Sequence, residues 1–246
     1  MKRLMPIFIV ILLSGCGILT AYAPNMLSMI VVAVMGVVVL LGIIYGLIPV
    51  LTFTQGLLTG QKSIQRASEA EEKSVWITAL QMDRFFRQKK MDQLFREYRD
   101  KVKQQRQNGQ IVSDLEDILN EDVLALYSWQ GVVAQIPGTL TGLGILGTFI
   151  GLLRGLRNIN FVTVEAALSS VQSILTGIDT AFYTSIAGVI LSILFNISNN
   201  ILRNTMDREM GCVKNDPTMK QLWNTYEYPQ FYEDTYLPLK ERLKNI

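Results

Sequence analysis

The sequence contains no histidine and only two cysteines, Cys16 and Cys212. The first absence removes a His-ligated metal site, a Ser-His-Asp triad and an imidazole proton switch together. The second leaves too few thiols, too far apart, for a zinc site or a disulfide framework. An excess of one charge is lacking too. Lys plus Arg is 23 against 21 for Asp plus Glu, so no basic footprint for nucleic acid exists. Most informative is where charge is missing altogether. No charged residue occurs between Arg3 and Lys62, from Val123 to Leu153, or from Thr180 to Leu202. An apolar stretch of about 18 residues already reads as membrane-spanning. The composition, 49% hydrophobic and gathered into such runs, predicts an all-α integral membrane protein and excludes a soluble enzyme.

Four spans are expected. The first runs from about Leu4 to Ala23 and ends at Pro24-Asn25, a turn signal. The second runs from Met26 to Phe53. Its β-branched run would suggest strand in water, but in a bilayer the backbone must satisfy itself, so it is a helix. Pro49 is expected to kink it near its end. The third runs from Gln135 to Leu156 and the fourth from Ala166 to Ile201. The chain therefore divides into spans one and two (1–59), a polar helical segment (60–134), spans three and four (135–202) and a polar tail (203–246). In the polar segment Leu80, Phe86, Leu94, Phe95 and Tyr98 recur near helical spacing. Asn108-Gly109 signals a turn, and Ser113 before Glu116 resembles a capping box. Arg84, Arg87, Lys89, Lys90, Glu97 and Asp100 read as a solvated helix face. The tail carries Trp223, Tyr226, Tyr228, Phe231, Tyr232 and Tyr236.

Lys and Arg concentrate before span one, between spans two and three, and after span four. By the positive-inside rule both termini and the polar segment are cytoplasmic, although Arg154 and Arg157 fall outside. Leu13-Ser14-Gly15-Cys16 resembles a lipoprotein cleavage signal, which would make Cys16 a lipidated N-terminus. The apolar run continues past Cys16 through Ile18 and Leu19, and an uncleaved helix is the preferred reading.

Spans three and four carry the candidate site. Small residues at Gly144, Thr148, Gly151 and Gly155 fall at 4, 3, 4 spacing, and Gly147, Gly151 and Gly155 add overlapping G-x-x-x-G pairs. Such stripes let helix backbones approach closely in lipid. Thr141 and Thr148 lie deep in span three. Span four presents Thr176, Thr180, Thr184 and Gly188 at intervals of four, beside Ser185. Asp179 is a carboxylate within a span, which costs several kcal/mol unless paired or wetted. It is either functional or a partner for Arg154 or Arg157. Hydroxyls at mid-membrane suit an ion path, since they replace part of a hydration shell without a permanent charge. Thr148 and Thr184 reach one depth in an antiparallel pair, whereas Asp179 lies five residues away and turned aside. A partner bringing a second membrane carboxylate is implied.

The run Gly144-Ile145-Leu146-Gly147-Thr148-Phe149-Ile150-Gly151 is similar to the G-x-x-G-T-x-x-G signature of the MotA/TolQ/ExbB proton-channel family. Asp179 followed by Thr184 resembles the acidic residue and threonine of that family's last helix, with Asp in place of the usual Glu. The four-span plan is closer to the MotA type than to the three-span members. The resemblance implies a homopentamer around two copies of a single-span MotB/ExbD/TolR/ZorB-like subunit with a membrane Asp. Flow of H⁺ or Na⁺ would turn the pentamer around the dimer, with no cofactor, metal or covalent catalysis. Thr148 and Thr184 would line the ion path, and Pro137 would sit at the cytoplasmic mouth of the pore helix. The wording from Thr139 to Phe149 looks most like the ZorA branch of phage-defence motors.

Overall fold

The computed structural model describes residues 5–71, 84–108, 120–157, 159 and 162–214. The expected capping box at Ser113, Leu80 and the aromatic tail lie outside the described residues. Every regular element described is helical: α1 (Met5–Ala21), α2 (Met26–Gly42), a π turn (Ile43–Leu47), α3 (Ile48–Glu71), α4 (Lys89–Gln107), α5 (Glu121–Tyr127), α6 (Gln130–Val133), α7 (Ile136–Leu156) and α8 (Val164–Lys214).

Among the described residues, three helical stretches are long and apolar enough to cross a membrane: Met26–Lys62, Gln130–Leu156 and Val164–Cys212. The apolar helix Ile7–Ala21 is shorter. Where a kink was expected at Pro49, α2 continues through the π turn into α3. The location has a physical cause. Proline lacks an N–H and its ring crowds the carbonyl four residues back, and a π turn there widens the backbone ladder. The fourth expected span continues as one helix to Lys214, past Arg203, with no proline between Ile201 and Lys214 to stop it.

The described residues fall into two compact units. One draws on Met1–Ile48 and Ser128–Leu202, the other on Pro49–Tyr127 and Arg203–Ile246. In the first, α2 packs against α1 and α7. Its core includes Leu12, Val32, Met35, Val39, Leu140, Leu191 and Phe195. Asn25 caps α2: its side chain accepts the Ser28 N–H while the Ser28 hydroxyl receives the Asn25 N–H. That reciprocal pair satisfies donors the helix start would otherwise leave open.

In the second unit the core is aromatic. Phe85 stacks on Phe95 at 4.6 Å between ring centroids and meets Phe86 edge to face at 4.6 Å. Leu94, Phe95 and Tyr98 are buried on α4, as helical spacing requires. Phe86 belongs instead to the bend ahead of α4, where Arg87 adopts a left-handed backbone with φ 53°.

Candidate functional site

Helices α7 and α8 meet along glycine. A Cβ on Gly151 would stand 2.9 Å from the backbone nitrogen of Ala181 and the carbonyl oxygen of Gly177. One on Gly155 would stand 3.0 Å from the Gly177 Cα, and one on Gly144 3.2 Å from the Thr184 carbonyl oxygen. From the other side, a Cβ on Gly177 would lie 2.6 Å from the Gly151 oxygen, and one on Gly188 2.8 Å from the Leu140 oxygen. In each case the obstacle is backbone, which cannot rotate away. Only hydrogen fits at Gly151, Gly177 and Gly188, while at Gly144 and Gly155 a methyl would force the facing backbone to give by a few tenths of an ångström.

The buried stripe of α7 is Ile136, Leu140, Gly144, Gly147, Gly151 and Gly155. This corrects the small-residue stripe read from spacing, in which Thr148 stood where Gly147 stands. The correction follows from volume. At this level α8 presents Thr184, whose Oγ1 would lie 2.5 Å from a Cβ on Gly147. A threonine facing it would collide, so Thr148 is turned off the seam and is half-buried. Its hydroxyl donates to the Ile145 carbonyl. Thr141, two turns earlier on the same face, donates to the Pro137 carbonyl at 3.1 Å. Pro137 opens α7, where a missing N–H costs nothing.

On α8 the hydroxyls turn inward. Thr184 is fully buried and donates to the Thr180 carbonyl at 2.9 Å and the Ala181 carbonyl at 3.1 Å. Thr180 is 3% exposed and donates to the Thr176 carbonyl at 2.8 Å. Ser185 is half-buried with its Cα against Gly144. Asp179 lies on the outward face with Leu175, Phe182 and Ile186. It forms no ion pair with Arg154, Arg157 or any other described residue. The structure thus sets Thr148 and Thr184 at one level on different faces, and Asp179 apart from both.

Two contributors were not read from the sequence. Asn25, taken there only as a turn residue, donates from Nδ2 to Thr180 Oγ1 and so ties the start of α2 to α8. The Asn25-x-x-Ser28 spacing was the available signal for the cap, though not for the tie. Tyr183 donates its hydroxyl to the Leu19 carbonyl, fastening α8 to α1. Beside Thr180 a cavity of about 450 Å³ is lined by Asn25, Arg154, Gln172, Ser173 and Thr176 among others. These groups give it a polar wall within an otherwise apolar set of helices. No cluster of Cys, Asp or Glu able to hold a metal occurs among the described residues.

The profile of the family described as anti-phage protein ZorA, Zorya type I system, matches residues 12–206. This chain belongs to the ZorA-like family. The match begins within α1 and runs through most of α8, including the whole glycine seam. Two curated ZorA proteins are similar over a shorter stretch. The Zorya protein ZorA of Escherichia coli (strain ATCC 8739, Crooks) is 47% identical over 60 residues, 24% of this chain and 10% of that protein. The Zorya protein ZorA of Escherichia coli O139:H28 (strain E24377A) is 43% identical over 60 residues, 24% of this chain and 8% of its own length. The aligned stretch therefore spans about a tenth of the curated ZorA proteins.

Proposed function

We propose that the chain is the ion-channel subunit of a rotary motor in anti-phage defence. Five copies surround two copies of a single-span subunit that supplies a membrane Asp. Proton or sodium flow between them turns the pentamer around the dimer. Membership of the ZorA-like family supports the defence setting. The observation that carries the channel reading is the division of α7 and α8 into two faces. The glycine seam locks the pair as one rigid wall, while Thr141, Thr148 and Asp179 are kept off it. Asp179 has no partner among the described residues, and a carboxylate on the outward face of a membrane helix needs one, which a neighbouring subunit or a hydrated path provides.

In this reading Thr141 and Thr148 form a hydroxyl ladder along the path and Asp179 is its fixed charge. Thr180, Thr184 and Ser185 flank the path from the seam and hold α8 against α7. Helix α1 is the fourth span. The polar segment 60–134 and the tail 203–246 face the cytoplasm of an inner membrane, in keeping with their Lys and Arg content.

Co-purification in mild detergent with a single-span partner, followed by native mass measurement, tests the assembly. A 5:2 complex is the expected result, and a monomer or a partnerless dimer sinks the proposal. Thr148→Val removes the hydroxyl at nearly constant shape. It is expected to lower ion flux into vesicles at least ten-fold with the complex intact, and unchanged flux removes Thr148 from the path.

A further inference from the structure

Charge is scarce in the unit that draws on Met1–Ile48 and Ser128–Leu202. Its described charged residues are Arg154, Arg157, Glu165 and Asp179, two of each sign. Arg154 lies in the apolar stretch Gln130–Leu156, and Asp179 in Val164–Cys212. A charge on such a helix is costly unless it is paired or wetted. Both residues are exposed, and neither forms an ion pair or hydrogen bond with a described residue.

The glycine seam fixes their relative depth. Gly151 faces Gly177 and Ala181, Gly155 faces Ser173 and Gly177, and Gly144 faces Thr184 and Gly188, so α7 and α8 run antiparallel in a defined register. In that register Arg154 lies opposite Thr176, and the two line one cavity. Asp179 is about three residues farther along α8, or about 4.5 Å at about 1.5 Å per residue. Arg157 is offset by about twice as much. Side chains lean toward the N-terminus of their own helix. In an antiparallel pair, Arg154 and Asp179 therefore lean toward each other's depth. Within one chain they still do not meet. Arg154 borders the cavity beside Thr180, whereas Asp179 stands with Leu175, Phe182 and Ile186. That face is turned about 200° from Gly177, so the body of α8 separates the two charges.

Rotation about an axis along the membrane normal preserves depth and changes only the direction a face points. Opposite charges at one depth on different faces of a chain are therefore complementary between copies, in a head-to-tail contact. We infer that Asp179 of one copy pairs with Arg154 of a second copy through a guanidinium–carboxylate bond. Each charge then supplies the partner that the other lacks within its own chain. The inference rests on the proposed ring of identical copies and names one contact in it. It uses neither the single-span subunit nor ion flow.

Two differently tagged forms of the full chain, both with Cys16→Ala and Cys212→Ala, are co-expressed. One carries Arg154→Cys and the other Asp179→Cys. Membranes are treated with a short thiol-to-thiol cross-linker, and products bearing both tags are measured on gels. A yield at least five-fold above that of either cysteine form paired with itself is expected. A yield no higher than those controls overturns the pair. Stronger linkage of Asp179→Cys to Arg157→Cys overturns the choice of arginine. Should the cysteine forms fail to assemble, charge reversal decides. Arg154→Asp alone is expected to lower the oligomer seen by native mass at least five-fold, and adding Asp179→Arg to restore at least half of it. An unchanged oligomer in Arg154→Asp overturns the pair. Cross-linking without any single-span partner keeps the pair and sinks the motor, and a 5:2 complex without cross-linking does the reverse.

Discussion

The α7–α8 pair and the α4 region solve the same packing problem by opposite means. The α7–α8 pair joins by removing side chains: Gly144, Gly151, Gly155, Gly177 and Gly188 let backbone approach backbone, and Gly147 makes room for Thr184. The second fills its centre with Phe85, Phe86, Phe95 and Tyr98, all buried. The difference follows from the solvent. Lipid tails are as apolar as leucine, so burying a large side chain between membrane helices gains little, and close contact becomes the source of attraction. Where water is the alternative, each buried aromatic ring carries a large apolar area out of it, and size is rewarded.

The comparison can be broken at its heaviest point first. Phe95→Ala empties the centre of the aromatic cluster, and a loss of about 3–5 kcal/mol is expected. Thermal unfolding of the detergent-solubilised chain measures it. Gly177→Ala tests the seam. Its new Cβ meets backbone at 2.6 Å, so overpacking of about 1–3 kcal/mol is expected despite alanine's better helix propensity. The control is Gly56→Ala, whose Cβ meets the flexible thioether of Met91 at 2.6 Å. Methionine moves aside readily, and a cost under about 1 kcal/mol is expected. Equal damage at the two glycines would erase the distinction between backbone and side-chain contact. Asn25→Ala removes a helix cap and the tie to Thr180, for about 1 kcal/mol, read as faster hydrogen exchange at the start of α2. The smallest effect is at Gly142, which has nothing within 4 Å of its Cβ position. Gly142→Ala is expected to stabilise α7 by up to about 1 kcal/mol, provided no neighbouring subunit approaches there. Destabilisation of the assembled complex alone would sharpen the comparison by exposing a second seam between subunits.

Much of this architecture was legible residue by residue. The charge-free runs located the three long apolar helices, because a carboxylate or ammonium in lipid costs too much to be scattered there at random. The overlapping glycine pairs from 147 to 155 marked a close approach. The exact face was not legible. Thr148 and Gly147 are adjacent, and small-residue spacing admits either. Only the bulk of Thr184 across the seam decides between them. Pro49 signalled a disturbance without its kind, since a kink and a π turn both relieve the same clash. The charges Arg84, Arg87, Lys89, Lys90, Glu97 and Asp100 read as a solvated helix face and are all exposed, but Arg84 and Arg87 belong to the bend ahead of α4, which spacing did not show.

The sequence by itself determined that the chain is helical, that it carries helices long and apolar enough to cross a membrane, and that α7 carries closely spaced glycines. Those properties follow from composition along one strand of text, where the cost of a charge or the absence of a Cβ is a local quantity. The tertiary structure alone decided which hydroxyl faces the seam, that Asn25 ties α2 to α8, and that Asp179 stands without a partner among the described residues. Each of those depends on the volume and bonding of residues far away in the chain, and that dependence is non-local.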